Sequence, residues 1–328
     1  MSAMPSFLVH VSDTEPGIKR RVRGRGFSYH HPDGTNVECE STLTRIRGLG
    51  LPPAWREVWI CAHDQGHIQA TGRDARGRKQ YRYHDSWRVY RDQLKYEGLA
   101  EFGAALPALR ARVRRDLARN RPDKPFVCAA LVRLLDQAAL RVGSEAYARE
   151  NGSFGATTLR EKHVRLGKGK LNLDFTAKGG KRVRKQVRDR TLHRALERIG
   201  DLPGRELFHY IGEDGSRHGL DSADVNSYIH TTLPHATAKT FRTWRGSVEA
   251  FAEARDTPTP TIKALCERAA DALHNTPAIA RTSYIHPDVI ALAEMDSEAR
   301  AAKLEAVEGT RRDGLRVDEA EFLALIGE

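Results

Sequence analysis

Cysteine is scarce in this chain of 328 residues: Cys39, Cys61, Cys128 and Cys266 are scattered and form no CxxC pair. That spacing gives neither a disulfide framework nor a four-cysteine zinc site, so the four read as reduced thiols. Cys61, His63 and His67 come nearest to a ligand cluster but offer no fourth ligand, and no metal is expected. Long apolar runs are missing too, with nothing approaching the roughly 20 residues of a membrane span. The opening MSAMPSFLVH lacks the charged start, apolar stretch and cleavage site of a secretory signal. A cytoplasmic protein without membrane partners is the expectation. Also absent are a GxxxxGK[ST] loop and a carboxylate cluster suited to magnesium, so no cofactor is expected either.

What is present is basic charge. The net charge is +11, with hydrophobic residues at 40% and charged residues at 30%, enough apolar material for ordinary cores. From Arg160 to Arg190 twelve basic residues face three acids, a local +9, whereas Ile285 to Glu328 holds eleven acids and five bases, a local −6. A polyanion would therefore meet the middle of the chain and avoid its end.

The length suggests two domains. Residues 1–84 read as a β-rich domain: Phe27 to His31, Thr35 to Glu38, Glu57 to His63 and the stretches GHIQATG and GRKQYRYH alternate as strands do. STLTRIRGLG is the helical exception, with Ser41 as a candidate cap. In GRKQYRYH, Lys79, Tyr81 and Tyr83 fall on one face and Arg78, Gln80, Arg82 and His84 on the other, which fits either a solvated sheet face or a basic, aromatic binding surface. From residue 85 the period changes to three and four, predicting helices over Asp85 to Leu99, Glu101 to Asn120 and Lys124 to Gly143. Short β segments interrupt this region, KLNLDF and KRVRKQV being joined by a TAKGG hairpin with Lys178 at its tip. Helices resume near Thr191, Ser222, Ala236, Pro260 and His286. Residues 85–295 thus form a mainly helical domain. Residues 296–328 read as an acidic tail, a linker followed by a short helix over Val317 to Ile326, standing apart from any polyanion.

Four residues stand out by type: Arg141 at the end of the apolar LLDQAALRVG, Lys178, Arg242 in AKTFRTWRGS, and Tyr284 after HNTPAIARTS. Singly each has an ordinary structural explanation, as a capping arginine, a turn lysine, a helix-surface arginine and a core tyrosine. Together, LRVGSEAYARENGSFGATTL, LDFTAKGG, AKTFRTWRGS and NTPAIARTSYIHP follow the order and rough spacing of the catalytic motifs of type IB DNA topoisomerases. PPAWREVWICAHDQGHIQATGRDARGRKQYRYH resembles the β-rich domain of the small bacterial and poxvirus-like members.

The resemblance covers about residues 25 to 295. It implies an α+β fold, a small β-rich domain followed by a mainly helical catalytic domain with a small sheet, closing as a C-shaped clamp on double-stranded DNA. It implies Tyr284 as nucleophile, Arg141 and Arg242 as the phosphate clamp and Lys178 as the acid for the leaving 5′ oxygen. Many members carry a histidine nine residues before the tyrosine. Here that position is Asn275, with His274 one place earlier, and gapless alignment favours Asn275 as the donor. Arg78, Lys79, Gln80, Tyr81, Tyr147 and Lys239 are the expected DNA contacts, and about half of the basic residues of the two basic strands should touch DNA, mostly at phosphates. The implied activity is relaxation of supercoils of either sign by a monomer, through a 3′-phosphotyrosyl bond and without ATP or metal.

Two rivals share part of this pattern. Tyrosine recombinases share the two arginines, the lysine and the tyrosine, but usually have HxxR where this chain has Lys239, Thr240, Phe241 and Arg242, and their amino-terminal domains are helical. A non-catalytic DNA-binding protein that kept the fold is the other, and Asn275 is the feature that favours it.

Overall fold

The computed structural model describes residues 4–327. The chain divides into two compact units, Met1–Glu97 and Gly98–Glu328.

The first unit is built on β1 (Ile18–Arg23), β2 (Gly26–His30), α1 (Glu40–Gly48), β3 (Arg56–Ile60), β4 (Ile68–Arg73) and β5 (Lys79–Tyr83). The strands form one antiparallel sheet in the order β2-β1-β3-β4-β5. Ile18, Val58, Ile60 and Ala70 project from its strands onto Ile46 of α1 and Val37, and this apolar cluster is the core. Three differences from the sequence reading appear. IKRRVR forms β1, unread because Ile18 is its one buried residue. Thr35 to Glu38 is not a strand but a loop that touches β2 through a single bridge from Asn36 to His30. Cys39, not Ser41, occupies the cap position of α1.

One helix, α2 (Asp85–Leu117), replaces the two expected and runs through Pro107. The second unit continues with α3 (Lys124–Ala138), α4 (Glu145–Asn151), β6 (Val164–Gly167), β7 (Lys170–Thr176), β8 (Arg182–Arg188), α5 (Arg190–Gly200), β9 (His209–Ile211), β10 (Arg217–Gly219) and α6 (Ser222–His230). Then come α7 (Thr240–Asp256), α8 (Ile262–Leu273), α9 (Pro277–Tyr284), α10 (Pro287–Leu292), α11 (Ser297–Val307) and α12 (Val317–Gly327). β6, β7 and β8 make a three-stranded antiparallel sheet, and β9 pairs with β10.

α3 begins where the Asp123 carboxylate accepts from the Phe126 N–H and is apolar on nearly every side, as suits a helix at the centre of a core. α7 is buried over most of its length, including Phe241, Trp244 and Phe251. The short α9, absent from the sequence reading, starts on a Thr276 cap followed by Pro277, a favourable first-turn pair.

The acidic end is not a tail. α11 stands where a linker was expected, and α12 packs Phe322, fully buried, against Trp244 and Phe251 of α7 with ring centroids 5.1 and 6.1 Å apart. Burying that ring contributes roughly 1.5–3 kcal/mol. Its acids are engaged as well. Glu319 accepts two bonds of 2.8 Å from Arg110, and Arg255 pairs with Asp318 and Glu321.

Candidate active site

The site grows from two helix ends. α3 stops on Ala139, which takes a left-handed conformation at φ 50°, and α8 stops in the same way on His274, also at φ 50°. The last carbonyls of a helix have no partner within it and carry the negative end of its dipole, so they attract cations. Here two cations each bridge both ends. Arg242, on α7 and only 3% exposed, donates to the carbonyls of Ala139 and Leu273. Lys185, on β8, donates to Ala138 at 3.0 Å and to Ala272 at 3.1 Å.

Just beyond these ends come Arg141 and Asn275, and they meet: Arg141 donates to the Asn275 side-chain oxygen. The segment carrying Arg141 is itself pinned, since its carbonyl accepts from Ala156 at 2.8 Å and that of Val142 from Thr157 at 2.7 Å. The Asn275 backbone N–H donates to Ala270 at 2.8 Å. His274 lies beside Lys185, and burial first, then the charges of Lys185 and Arg242, hold its imidazole below the usual pKa.

Tyr284 is the last residue of α9 and 8% exposed. Its ring packs with Ala139 and Leu273, and the Arg242 guanidinium lies 4.9 Å from the ring centroid. Burial would push the phenol pKa up, but the positive charge of Arg242, aided by Arg141 and Lys239, outweighs it and draws the pKa below the usual tyrosine value. The peptide around Tyr284 is fixed from α7. The hydroxyl of the fully buried Ser247 donates to the Tyr284 carbonyl at 3.2 Å and accepts from the His286 N–H at 3.0 Å. At Gly246 an added Cβ would lie 2.7 Å from the Tyr284 carbonyl oxygen, so only glycine permits this approach.

Some polar atoms at this corner are left over. Nε of Arg242, Nδ2 of Asn275 and Nε2 of His274 are buried and have no hydrogen-bond partner among the described residues. Buried polar groups are nearly always paired, and each exception costs about 1–3 kcal/mol. Unsatisfied donors beside a phenol whose pKa is drawn down by nearby positive charge suit a ligand that is negative and rich in oxygen.

Lys178 is placed differently. It is exposed, on the turn between β7 and β8, where Gly179 and Gly180 both adopt positive φ (78° and 74°), a conformation glycine takes without cost. Among the described contacts its ammonium lies 5.8 Å from the ring centroid of Tyr147, on α4, and none joins it to Arg141, Arg242 or Tyr284. Lys239 is exposed at the start of α7.

The remaining expected DNA contacts lie in the first unit. Lys79 and Tyr81 share a face of the edge strand β5, where the rings of Tyr81 and Tyr83 stack with centroids 5.8 Å apart. Lys79 pairs with Asp13, while Arg78 and Gln80 both donate to Asp74, at 2.8 and 3.0 Å. The Arg78 side-chain bond first, then the backbone bonds from Arg78 and Arg76 and the Arg78 charge, bring the Asp74 pKa to about 2.

Among the basic strand residues expected at phosphates, Arg182 and Arg184 share Asp174, and Lys185 is turned inward. The sequence reading passed over that inward lysine. Its signal was there: Val183, Lys185 and Val187 alternate on one strand face, and both valines are buried. Ser247 and Gly246 gave no comparable sign. Among the described residues no group of three or more His, Cys, Asp or Glu side chains is placed to hold a metal ion, and no helix is long and apolar enough to cross a membrane.

Comparison with known proteins bears on this arrangement. Residues 84–282 match the family model described as eukaryotic DNA topoisomerase I, catalytic core, and residues 26–74 match that of the bacterial DNA topoisomerase IB N-terminal domain. The chain is 31% identical over 287 residues to the DNA topoisomerase 1B of Acanthamoeba polyphaga mimivirus, an alignment covering 82% of this chain and 85% of that protein. It is 27% identical over 158 residues to a DNA topoisomerase 1 of Daucus carota, covering 47% of this chain and 19% of that one.

Proposed function

The chain belongs to the type IB DNA topoisomerases, isomerases that act on DNA, and from that premise we propose that it relaxes positive and negative supercoils through a transient 3′-phosphotyrosyl bond, strand rotation and religation. The observation that carries this reading is the buried Tyr284 phenol under the Arg242 guanidinium, with its pKa drawn down.

In this reading the Tyr284 oxygen attacks a DNA phosphorus, and negative charge builds on the nonbridging oxygens. Arg141 and Arg242 neutralise that charge through planar, paired donors. A phosphate that draws Arg141 away frees the Asn275 amide to turn its N–H toward the same oxygens. The leaving 5′ alkoxide is a strong base, and Lys178 supplies its proton. The bond formed is close in energy to the bond broken, so the step reverses without ATP, and the two guanidiniums supply the positive charge a metal would otherwise bring. While one strand is open, rotation about the other releases torsion.

DNA contacts are assigned to Arg78, Lys79, Gln80, Tyr81, Tyr147 and Lys239, and the enzyme acts as a monomer on double-stranded DNA at the nucleoid. Residues 1–84 serve binding and 85–295 carry the chemistry.

The test is relaxation of negatively and positively supercoiled plasmid in EDTA without ATP, run beside Tyr284→Phe. Wild type should relax both, and the variant should bind DNA as well as wild type while relaxing neither and forming no covalent adduct. Binding by wild type with both topologies unchanged would overturn the assignment.

A further inference from the structure

The mechanism above gives Lys185 no role, yet its side chain sits where β8 meets the ends of α3 and α8, the helices that lead into Arg141 and Asn275. Its ammonium joins the carbonyl three residues before Arg141 to the carbonyl three residues before Asn275. Arg242 joins the carbonyls two residues before each. The two straps differ in what they are attached to. Arg242 belongs to α7, which also holds Tyr284, whereas Lys185 belongs to β8, the strand that descends from the Lys178 turn. Of the two cations, Lys185 therefore ties the hairpin to the helix ends.

We propose that Lys185 is a positioning residue for strand cleavage: by fastening β8 to the ends of α3 and α8, it sets where Lys178 stands relative to the Arg141–Asn275 pair. The proposal rests on the catalytic reading given above. Its surroundings fit a structural tie better than a DNA contact. Burial first, then Arg245, with Arg242 adding and Glu249 opposing, bring the Lys185 pKa to about 8, so it keeps most of its charge at neutral pH while half-buried against the two helix ends. Its neighbours on β8, Val183 and Val187, are buried on the same face and keep the strand seated.

The consequence is specific to proton delivery. If the hairpin drifts, Lys178 misses the leaving oxygen while the arginines and Tyr284 remain strapped by Arg242. A 5′ leaving group with sulfur in the bridging position departs without a proton and is indifferent to that drift.

The experiment is single-turnover cleavage by Lys185→Met of two suicide duplexes carrying the enzyme's mapped cleavage site, one with the ordinary 5′ oxygen and one with bridging sulfur. Misplacing a catalytic group by about 1 Å costs on the order of 10²-fold. The expected result is a loss of roughly 10- to 100-fold on the ordinary duplex and a loss at least about ten times smaller on the sulfur duplex, with DNA affinity unchanged. Equal losses on both duplexes would show a general structural role and overturn the proposal. Should Lys185→Met fail to fold, Lys185→Gln, which keeps a donor, carries the same comparison. If wild type cleaves neither duplex, the catalytic reading itself falls, an outcome distinct from equal losses in the variant.

Discussion

The buried corner and the hairpin tip of the catalytic unit are built on opposite principles. At the corner, Arg242, Tyr284, Arg141 and Asn275 are held by helix ends, backbone carbonyls and a buried serine. At the tip, Lys178 stands exposed on a turn with two glycines in left-handed conformation. Charge stabilisation works best when donors are fixed before the reaction, because nothing then has to reorganise. Proton transfer needs its group within about 3 Å only at the moment of reaction, and such contacts commonly tighten after substrate binds. Under the proposed mechanism, the difference teaches that one site can be rigid where it would stabilise charge and adjustable where it would deliver a proton.

The comparison breaks most sharply at the tip. Lys178→Ala should slow cleavage of an ordinary duplex by roughly 10²- to 10⁴-fold, with the bridging-sulfur duplex restoring most of the rate. Because Lys178 is exposed, its melting temperature should match wild type. A large drop in melting temperature, or no rescue by sulfur, would place Lys178 with the corner instead.

Gly246→Ala tests the other side. The new methyl would press on the Tyr284 carbonyl and on Leu273, so the Tyr284 peptide must move. Cleavage should fall by on the order of 10-fold on both duplexes alike, and stability by about 1–3 kcal/mol, measured by single-turnover rates and urea unfolding. A purely kinetic defect without loss of stability would show that the corner yields as easily as the tip.

How much of this was legible in the sequence follows the same division. Tyr284, Arg141, Lys178 and Arg242 could be proposed from sequence because the local patterns that single them out travel with them. What those residues hold on to could not be. The carbonyl straps require Ala139 and Leu273 to come together from segments more than a hundred residues apart, and no local pattern encodes that meeting. The alternating strands around Ile60 and Ala70 showed their period, but β1, with one buried residue, had none to show. The break expected near Leu99 is absent: α2 runs on unbroken, and its Gly103 lies close against the Trp244 ring, a long-range contact invisible locally. The acidic end misled for a related reason: a charge count cannot tell a solvated carboxylate from one paired with Arg110 or Arg255.

That last pairing gives the test with the smallest effect on chemistry. Glu319 is 2% exposed, accepts from Arg110 and, at 2.9 Å, from the Arg316 N–H, and lies 3.3 Å from the Trp244 indole nitrogen. Burial would raise its pKa, but the bonds from Arg110 and the charge of Arg316 win and lower it from 4.5 to about 2. A carboxyl depressed in the folded state contributes stability that is complete above its unfolded pKa and is lost as pH falls toward the folded value. Between pH 4.5 and pH 2 wild type should therefore lose roughly 3 kcal/mol through this group. In Glu319→Gln that slope should be shallower, and stability at pH 7 lower by about 3–5 kcal/mol, because Arg110 keeps a buried charge with one partner fewer. Folded enzyme at pH 7 should cleave at close to the wild-type rate, since α12 touches α7 through Trp244 and Phe251 while Arg242 is held by the ends of α3 and α8. A marked fall in that rate would mean that the straps at the corner depend on the acidic end of the chain, and that its rigidity is set by the whole unit.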